Sequence, residues 1–312
     1  INGEAYRAGG RDAALMQHLA DARCLDAVAM RRVSPAAHGL LRAWCEALGI
    51  ETFIGSSGRV FPKQMKASPL LRAWLARLDG LGVQLVTRSR WTGWSDGALT
   101  FDTAEGPRTE RADAFLFALG GASWPRLGSD GSWTDAFTAH GATISTLKPS
   151  NNGFRVPWSD IFRDRFAGQP LKPVHISHGA SEMSGEAIIT QSGIEGGAIY
   201  ALSPLLRDRI AAEGSADLVL DLSPNLTAAE LAKKISYAPS GTSTANRLRR
   251  AGLTPIAASL LRERRGGPGL PTDPAELTAI AKACVIQLTG VAPIERAIST
   301  AGGISWDSIN AD

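Results

Sequence analysis

The sequence predicts an α/β fold, and three of its features carry that prediction. Residues 114–119 form an uninterrupted apolar run of strand length, which is typical of a strand buried on both faces of a parallel sheet. The run ends in Gly120-Gly121, and paired glycines at the carboxyl end of such a strand let a second backbone or a ligand come close. Gly128-Ser-Asp-Gly131 then opens a helix, so that strand and helix alternate. An ordinary core strand that ends at a turn explains the same residues equally well.

Composition and charge are those of an ordinary globular protein. The chain has 312 residues, of which 44% are hydrophobic and 20% are charged, and its net charge is +3. So small a charge predicts neither a nucleic-acid partner nor binding to an anionic membrane. The three cysteines have no CxxC spacing and favour neither a disulfide framework nor a zinc site. Because the sequence has no apolar run of about 18 residues and no signal-peptide pattern, we expect a cytoplasmic protein that acts on a small molecule.

Helix signals recur through the first 110 residues. Apolar spacing over residues 12–32 predicts one helix, and a second is predicted to begin at Ser34-Pro35 and to end at Gly49. Ser68-Pro69 repeats the pattern of a capping residue followed by proline and predicts a third helix, which ends at Gly80.

Strand signals lie between and after these helices. Residues 51–54 predict a short strand, and residues 83–87 predict a parallel strand after the third helix. A small antiparallel meander follows, with a hairpin turn at Asp96-Gly97, and it leads back to the run at residues 114–119.

The helix after Gly131 offers a candidate anion site. Ser129 or Asp130 can cap it, and the free N–H groups and partial positive charge of a helix amino end attract anions. Plain capping is the commoner use of such residues. His140 lies near the predicted end of this helix, where we interpret it as a partner of the helix dipole rather than as a catalyst.

A change in the pattern of predicted secondary structure at Lys148-Pro149 predicts a second domain. Short strands follow, then a glycine-rich turn at residues 193–197 that leads into a helix, and then a largely helical stretch in which Thr227-Ala-Ala-Glu230 is a capping box. Residues 294–303 predict a strand that ends in a second glycine pair. The predicted segments are an α/β domain over residues 1–148, an inserted β and helical domain over 149–292, and a return strand of the first domain over 293–312.

Four motifs spread over about residues 50–306 occur in the order found in one known family. They are Gly58-Arg-Val-Phe-Pro62 with Lys66-Ala67, Ala118-Leu-Gly-Gly-Ala-Ser-Trp-Pro125 with Gly128-Ser-Asp-Gly131, Gly193-Ile-Glu-Gly-Gly197, and Ala297-Ile-Ser-Thr-Ala-Gly-Gly303. In these motifs the chain resembles the aminoacetone-oxidase-type flavoproteins, a bacterial family of FAD-dependent oxidoreductases. The resemblance implies a glutathione-reductase-like, three-layer FAD domain that is interrupted by a β-barrel-like domain with a helical part.

The resemblance also implies which residues contact FAD. Backbone at residues 119–122 would lie along the cofactor, and the glycine pair at 302–303 would approach it from the other side. One tryptophan would border the adenine, and the motif at residues 59–61 would lie near the flavin. The implied cofactor-binding residues are Arg59, Phe61, Trp91, Leu119, Gly120, Gly121, Ala122, Gly302 and Gly303.

Two departures from the family pattern bear on FAD binding. The family domain begins with a strand and a GxGxxG turn that holds the pyrophosphate on a helix amino end, and this sequence contains no GxGxxG. The family domain also continues beyond the returning strand, whereas this sequence ends at Asp312. We therefore expect both ends of the FAD domain to be absent, which weighs against FAD binding by this chain.

The sequence leaves two functions open. The first is an FAD-dependent oxidoreductase that oxidises a small amine or alcohol, with the redox chemistry supplied by the cofactor. The second is a truncated or diverged, non-catalytic homologue that binds a ligand or a partner. A dehydrogenase that uses only a nicotinamide cofactor is disfavoured, because no dinucleotide fingerprint is present. No pattern identifies a catalytic residue, and Arg59, His140 and Glu195 are candidates by placement alone that are better explained as structural.

Overall fold

The computed structural model describes residues 5–7, 35–55, 60–239, 241–264 and 269–310. Within these ranges the chain divides into two units, one up to Phe115 and one from Leu116 onward. Every strand pairing there is antiparallel, so the α/β class is found with antiparallel sheets and the predicted parallel strands are not. A parallel pair needs a long crossover connection, whereas four of the eleven described pairings join strands across a two-residue turn. No helix of the described ranges has the length and hydropathy needed to cross a membrane.

The first unit combines two helices with three small sheets. Its helices are Pro35–Ala47 and Ala67–Gly80. Its strands are β1 (Ala5–Arg7), β2 (Thr52–Ile54), β3 (Val60–Pro62), β4 (Gln84–Val86), β5 (Arg90–Ser95), β6 (Ala98–Thr103) and β7 (Gly106–Glu110). Strand β1 pairs with β4, β2 pairs with β3, and β5, β6 and β7 form a meander.

Several predicted boundaries in this unit are confirmed and two are wrong. A helix does begin at Pro35, and the meander does turn at Asp96-Gly97, where both residues have positive φ as a tight hairpin requires. The helix expected to be capped by Ser68 begins earlier, at Ala67, and its N-cap residue makes no side-chain hydrogen bond. The strand expected to be parallel is β4, which pairs antiparallel with β1.

The second unit contains the largest sheet and most of the helices. Its strands are β8 (Ile144–Pro149), β9 (Phe154–Arg155), β10 (Pro170–His178), β11 (Ser181–Thr190), β12 (Gly193–Glu195), β13 (Ala216–Asp221), β14 (Cys284–Leu288), β15 (Gly290–Val291) and β16 (Thr300–Ile304). Its helices are Trp133–Ala139, Asp160–Phe166, Gly197–Glu213, Ala228–Ser236, Thr244–Arg250, Pro255–Leu260 and Pro274–Lys282.

Seven of these strands form one sheet in the order β14-β13-β10-β11-β12-β9-β15. Only Thr289 separates β14 from β15, yet β14 pairs with β13 at one end of this order and β15 pairs with β9 at the other. One continuous segment therefore contributes a strand to each end of this order, and a barrel-like form of the sheet stays a prediction. That this sheet is a domain inserted into an FAD domain, with limits at residues 149 and 292, stays a prediction.

The core of the second unit lies between this sheet and the helices around it. Strand residues such as Ile176, Ile189 and Leu220 alternate with outward-facing ones and are fully buried. The helix Gly197–Glu213 packs against β10 and β11, and it confirms the helix predicted after the glycine-rich turn. The predicted capping box at Thr227 and Glu230 is also confirmed, with both reciprocal hydrogen bonds present.

The apolar run at residues 114–119 is not the buried strand that the sequence predicts. It has no strand pairing in the described ranges, and the side chain of Leu116 is 78% exposed. A strand buried on both faces needs hydrogen-bonded neighbours and covering layers, and none of the described strands pairs with this run. The predicted return strand is likewise shorter than expected, since a 3₁₀ turn at Ile294–Arg296 precedes β16, which pairs with β8.

Burial of the Cys284 thiol at the start of β14 should make the folded protein less stable at alkaline pH. Burial raises the pKa of this thiol from its ordinary value of 9.0 to about 12, against a small opposing effect of Arg264. Above pH 9.0 the unfolded chain therefore loses a proton that the folded chain keeps. We expect the contribution of the buried thiol to the unfolding free energy to be fully present below pH 9.0. It should be lost as the pH rises toward 12, at up to about 1.4 kcal/mol per pH unit.

The pH dependence is measured by urea unfolding of the wild type and of Cys284→Ala at a series of pH values from neutral to alkaline. The difference in unfolding free energy between the two proteins should narrow above pH 9.0. A difference that is constant with pH would contradict the expectation.

Candidate functional site

Two glycine-containing segments of the second unit, residues 120–123 and 298–303, meet at a cavity of about 400 Å³. They are more than 170 residues apart in the sequence, and their contact is made by tertiary structure alone. The cavity is lined by Gly120, Gly121, Ser123, Trp124, Ser129, Trp133, Leu147, Ile298, Ser299, Thr300 and Gly302. This volume lies in the range of about 300–1,000 Å³ that is typical of small-molecule pockets.

The hydroxyl of Thr300 holds the two segments together. Its Oγ1 accepts a hydrogen bond from the Ala122 N–H at 3.0 Å and lies 3.5 Å from Ser123 Oγ. A Cβ at position 121 would lie 2.3 Å from the same oxygen and 2.4 Å from the Thr300 Cβ. Gly121 is therefore needed so that the segments can approach, and the atom that approaches it belongs to the protein itself.

The carbonyl groups of the glycine pair are fixed by two further side chains. Ser129 is buried, and its hydroxyl donates to the Gly121 carbonyl at 3.0 Å. The indole N–H of Trp133 donates to the Gly120 carbonyl at 3.1 Å. In the described part of the chain, by contrast, the N–H groups of Gly120, Gly121 and Ser123 donate to no protein acceptor. The loop thus presents free donors beside the cavity.

Strand β16 is bent where it forms the other wall. Gly302 has a φ of +95° and interrupts the register between Ala301 and Gly303, and a Cβ on it would lie 2.3 Å from the Thr146 carbonyl oxygen of β8. Such a bulge re-aims the chain locally. The residues just before β16 are tied down by Asn151, whose carbonyl accepts the Ile298 N–H at 2.7 Å and whose side-chain oxygen accepts the Ser299 hydroxyl at 2.5 Å.

Removing the Thr300 hydroxyl should loosen the contact between the two segments. Thr300→Val keeps the shape of the side chain but leaves the half-buried Ala122 N–H without its acceptor, which we expect to cost about 1–2 kcal/mol of unfolding free energy. Denaturant unfolding measures this loss, and hydrogen exchange should be faster at the Ala122 amide. Thr300→Ser retains the hydroxyl and is the matched control. Unchanged exchange at Ala122 in the valine variant would contradict the role assigned to this hydroxyl.

Neither of the two residues predicted to cap the next helix does so, and anion binding at its amino end stays a prediction. The helix is Trp133–Ala139, and its N-cap residue Ser132 makes no side-chain capping bond. Ser129 donates to the Gly121 carbonyl instead, and Asp130 accepts the Ser132 N–H at 3.0 Å. The two predicted caps therefore fix the preceding loop, which was not foreseen because a capping residue and a loop residue share the same sequence signal.

The predicted cofactor-binding residues are found in different parts of the chain. Gly120, Gly121 and Gly302 line the cavity, while Leu119, Ala122 and Gly303 are their neighbours in sequence. Two others lie in the first unit: the Phe61 ring packs against Phe53 with centroids 5.8 Å apart, and the Trp91 ring makes an edge contact with Trp94 at 4.7 Å. Arg59 lies outside the described residues. Cofactor binding by all of these residues stays a prediction.

His140 and Glu195, the other candidates by placement, do not line the cavity. His140 follows the last residue of its helix, and its Nδ1 lies 2.9 Å from the Ala136 carbonyl oxygen, as expected for a residue at a helix carboxyl end. Burial and the nearby Glu195 carboxylate raise the pKa of Tyr200.

The described residues that line the cavity include no side chain that titrates near neutral pH. The described part of the chain also contains no cluster of three or more potential metal ligands among its histidines, cysteines and carboxylates. No sequence pattern indicated the roles of Thr300, Trp124 and Trp133. Thr300 and Trp124 lie inside the recognised motifs, but motif glycines alone do not indicate which neighbouring side chains face a cavity.

Comparison with protein families identifies the chain. The model of the HI0933-like protein Rossmann domain matches residues 15–312, which is nearly the whole sequence and includes both units and the cavity. The comparison with curated proteins gave no match. The family resemblance inferred from the four motifs is confirmed, since this family includes the aminoacetone-oxidase-type FAD-dependent oxidoreductases. The chain therefore belongs to the HI0933-like family of Rossmann-domain proteins.

Proposed function

We propose that this chain is an FAD-dependent oxidoreductase that oxidises a small amine or alcohol. The observation that carries the proposal is the cavity at which residues 120–123 meet residues 298–303. Both segments belong to motifs by which the sequence resembles the flavoproteins, although they lie far apart in the chain. Their convergence at one cavity of ligand size supports a shared ligand.

The residues of the cavity fit part of FAD better than the whole cofactor. Free N–H groups at Gly120, Gly121 and Ser123 can donate to oxygen or nitrogen atoms of a ligand, and the apolar walls suit a ring. A cavity of about 400 Å³ holds one ring system and its attachment, and a dinucleotide with two ring systems extends beyond it. The sequence has no GxGxxG turn for the pyrophosphate.

The contribution of this chain would be to position the cofactor. Bound flavin accepts a hydride from substrate, and that chemistry belongs to the cofactor. The Thr300 hydroxyl and Gly121 hold the two walls in contact, and Ser129 and Trp133 fix the glycine carbonyls by hydrogen bonds. Because the described lining includes no acid or base, a group that moves the substrate proton would have to come from elsewhere in the active protein or from the substrate itself.

One observation favours the second function, a non-catalytic ligand-binding or partner-binding homologue. The run at residues 114–119, which precedes the glycine pair, is exposed and unpaired in the described ranges, whereas an FAD domain of this type uses such a run as a buried strand. The two functions make opposite predictions about cofactor retention, so one experiment separates them.

The experiment is a visible absorption spectrum of the purified protein before and after addition of excess FAD and desalting. Flavin bands that are retained in a stoichiometric amount support the proposal, and a screen of small amines and alcohols for reduction of the bound flavin follows. Protein that is colourless after incubation with FAD and desalting overturns the oxidoreductase proposal for this chain and favours the non-catalytic homologue. Circular dichroism of the same sample checks that the protein is folded.

A further inference from the structure

We infer that the cavity binds a planar heteroaromatic ring against Trp124 and Trp133, with acceptor atoms on the ring edge facing the free N–H groups of Gly120, Gly121 and Ser123. The inference deepens the proposed function, on which the choice of ligand rests, by naming the chemical group that the cavity takes and the side chains that select it. Neither tryptophan belongs to the residues that the family resemblance implied.

The backbone of Trp124 is held in a conformation that such a residue rarely adopts. Its φ is +61°, in the left-handed region, and Pro125 follows it, which further restricts the preceding residue. The conformation is maintained by hydrogen bonds on both sides, because the Trp124 N–H donates to the Glu295 carbonyl at 3.1 Å and the Trp124 carbonyl accepts the Leu127 N–H at 2.8 Å. Strain that the surroundings maintain in this way is typical of binding sites.

This strain does not serve burial of the indole. The Trp124 side chain remains 48% exposed while it lines the cavity. An indole that is oriented by a strained backbone and left half in water has unused apolar surface, and a ring that stacks on it would cover that surface. The exposed side chain of Ile298, also in the lining, adds to the apolar wall.

Trp133 supplies a second, rigid aromatic surface. Its indole N–H is bound to the Gly120 carbonyl at 3.1 Å, and its ring makes an edge contact with Phe137 at 5.7 Å between centroids. The orientation of the ring is thus fixed before any ligand arrives. Pre-organised surfaces of this kind bind at a lower entropic cost than mobile ones.

The lack of cationic side chains in the described lining favours a neutral ring over an anion. The described lining consists of glycine, hydroxyl, aliphatic and indole groups, with no lysine, arginine or histidine to pair with a phosphate. Its free donors are backbone N–H groups, which match carbonyl oxygens and ring nitrogens. Both the isoalloxazine ring of a flavin and the adenine ring carry acceptor atoms on their edges. The experiment decides which of these two rings of FAD occupies the cavity.

The test uses two neutral probes without phosphate, riboflavin and adenosine, in equilibrium dialysis against the folded protein. We expect the wild type to bind at least one of them, and Trp124→Ala to bind that probe about 5- to 150-fold more weakly, which is the range for loss of one stacking partner. Trp124→Phe keeps a ring and should lose much less. Trp306→Ala is the matched control, because Trp306 is 86% exposed and does not line the cavity.

The outcomes separate this inference from the proposed function. Binding of riboflavin that depends on Trp124 assigns the cavity to the flavin ring, and the same dependence for adenosine assigns it to the adenine. Equal binding by wild type and Trp124→Ala, or binding of neither probe to the wild type, overturns the inference, even if FAD is retained. Dependence on Trp124 without retention of FAD supports the inference and overturns the oxidoreductase proposal.

Discussion

Gly193→Ala should destabilise the second unit by about 3 kcal/mol, the largest loss that we expect from removal or addition of a single methyl group. A Cβ at this position would lie 1.8 Å from the Phe154 carbonyl oxygen and 2.9 Å from the Arg155 Cα. Both atoms are backbone atoms of β9, which pairs with β12 at Gly193. A flexible side chain could move aside, but here the strand itself would have to shift.

The shift would propagate into the core of the sheet. Phe154 is buried, and the Trp158 indole N–H donates to the Gly193 carbonyl at 2.9 Å, so separation of β9 from β12 would disturb this hydrogen bond as well as the strand pairing. Because β9 also pairs with β15, that second pairing would be weakened too. Denaturant unfolding followed by circular dichroism measures the effect.

Gly185→Ala is the matched control for this substitution. It lies in β11 of the same sheet, and its added Cβ would be 3.5 Å from the nearest atom, the Ala198 Cβ, which is ordinary contact. We expect a change of about 1 kcal/mol or less, because an alanine also restricts the unfolded chain. Equal stability of the two variants would show that the close approach of the β9 backbone to Gly193 does not exclude a side chain at this position.

Gly121→Ala should disrupt the cavity and abolish FAD retention, if the wild type retains it. The added Cβ would meet the Oγ1 and Cβ of Thr300 at 2.3 and 2.4 Å. Since the Thr300 Cβ is attached directly to the backbone of β16, a change of rotamer does not relieve the clash. We expect a loss of about 1–3 kcal/mol of unfolding free energy, together with separation of the two segments.

A second substitution tests the cause of this loss. Thr300→Gly removes all three atoms that approach position 121, so the double variant Gly121→Ala/Thr300→Gly should recover much of the stability lost by Gly121→Ala. It should not recover the hydrogen bond to the Ala122 N–H. Gly39→Ala, where the added methyl group meets no atom within 4 Å, serves as the control for a harmless glycine substitution. Full stability of Gly121→Ala alone would contradict the predicted close approach.

Local signals in the sequence predicted several elements of the fold correctly. The capping box at Thr227 and Glu230 is formed as expected, since it depends on groups three residues apart. The turn at Asp96-Gly97 is also correct, because positive φ at both positions is a property of those two residues. Family membership followed from motifs as well, and the family comparison confirms it.

Pairing between distant segments could not be predicted in this way. The run at residues 114–119 has the apolar character of a buried strand, but strand formation depends on partners, and none of the described strands pairs with it. Residues 83–87 were assigned to a parallel sheet, while β4 pairs antiparallel with β1. In both cases the residues indicate that a strand can form and not which neighbour it takes.

The sequence by itself determined the family, the caps and turns, and the two glycine pairs at which close approach was expected. Tertiary structure alone decided what approaches them: Thr300 contacts Gly121, and its hydroxyl binds the Ala122 N–H. It also placed Trp124 and Trp133 beside the glycine loop as walls of one cavity. The physical reason is that a glycine permits proximity without specifying a partner, and the partner is selected by packing between segments that are far apart in the chain.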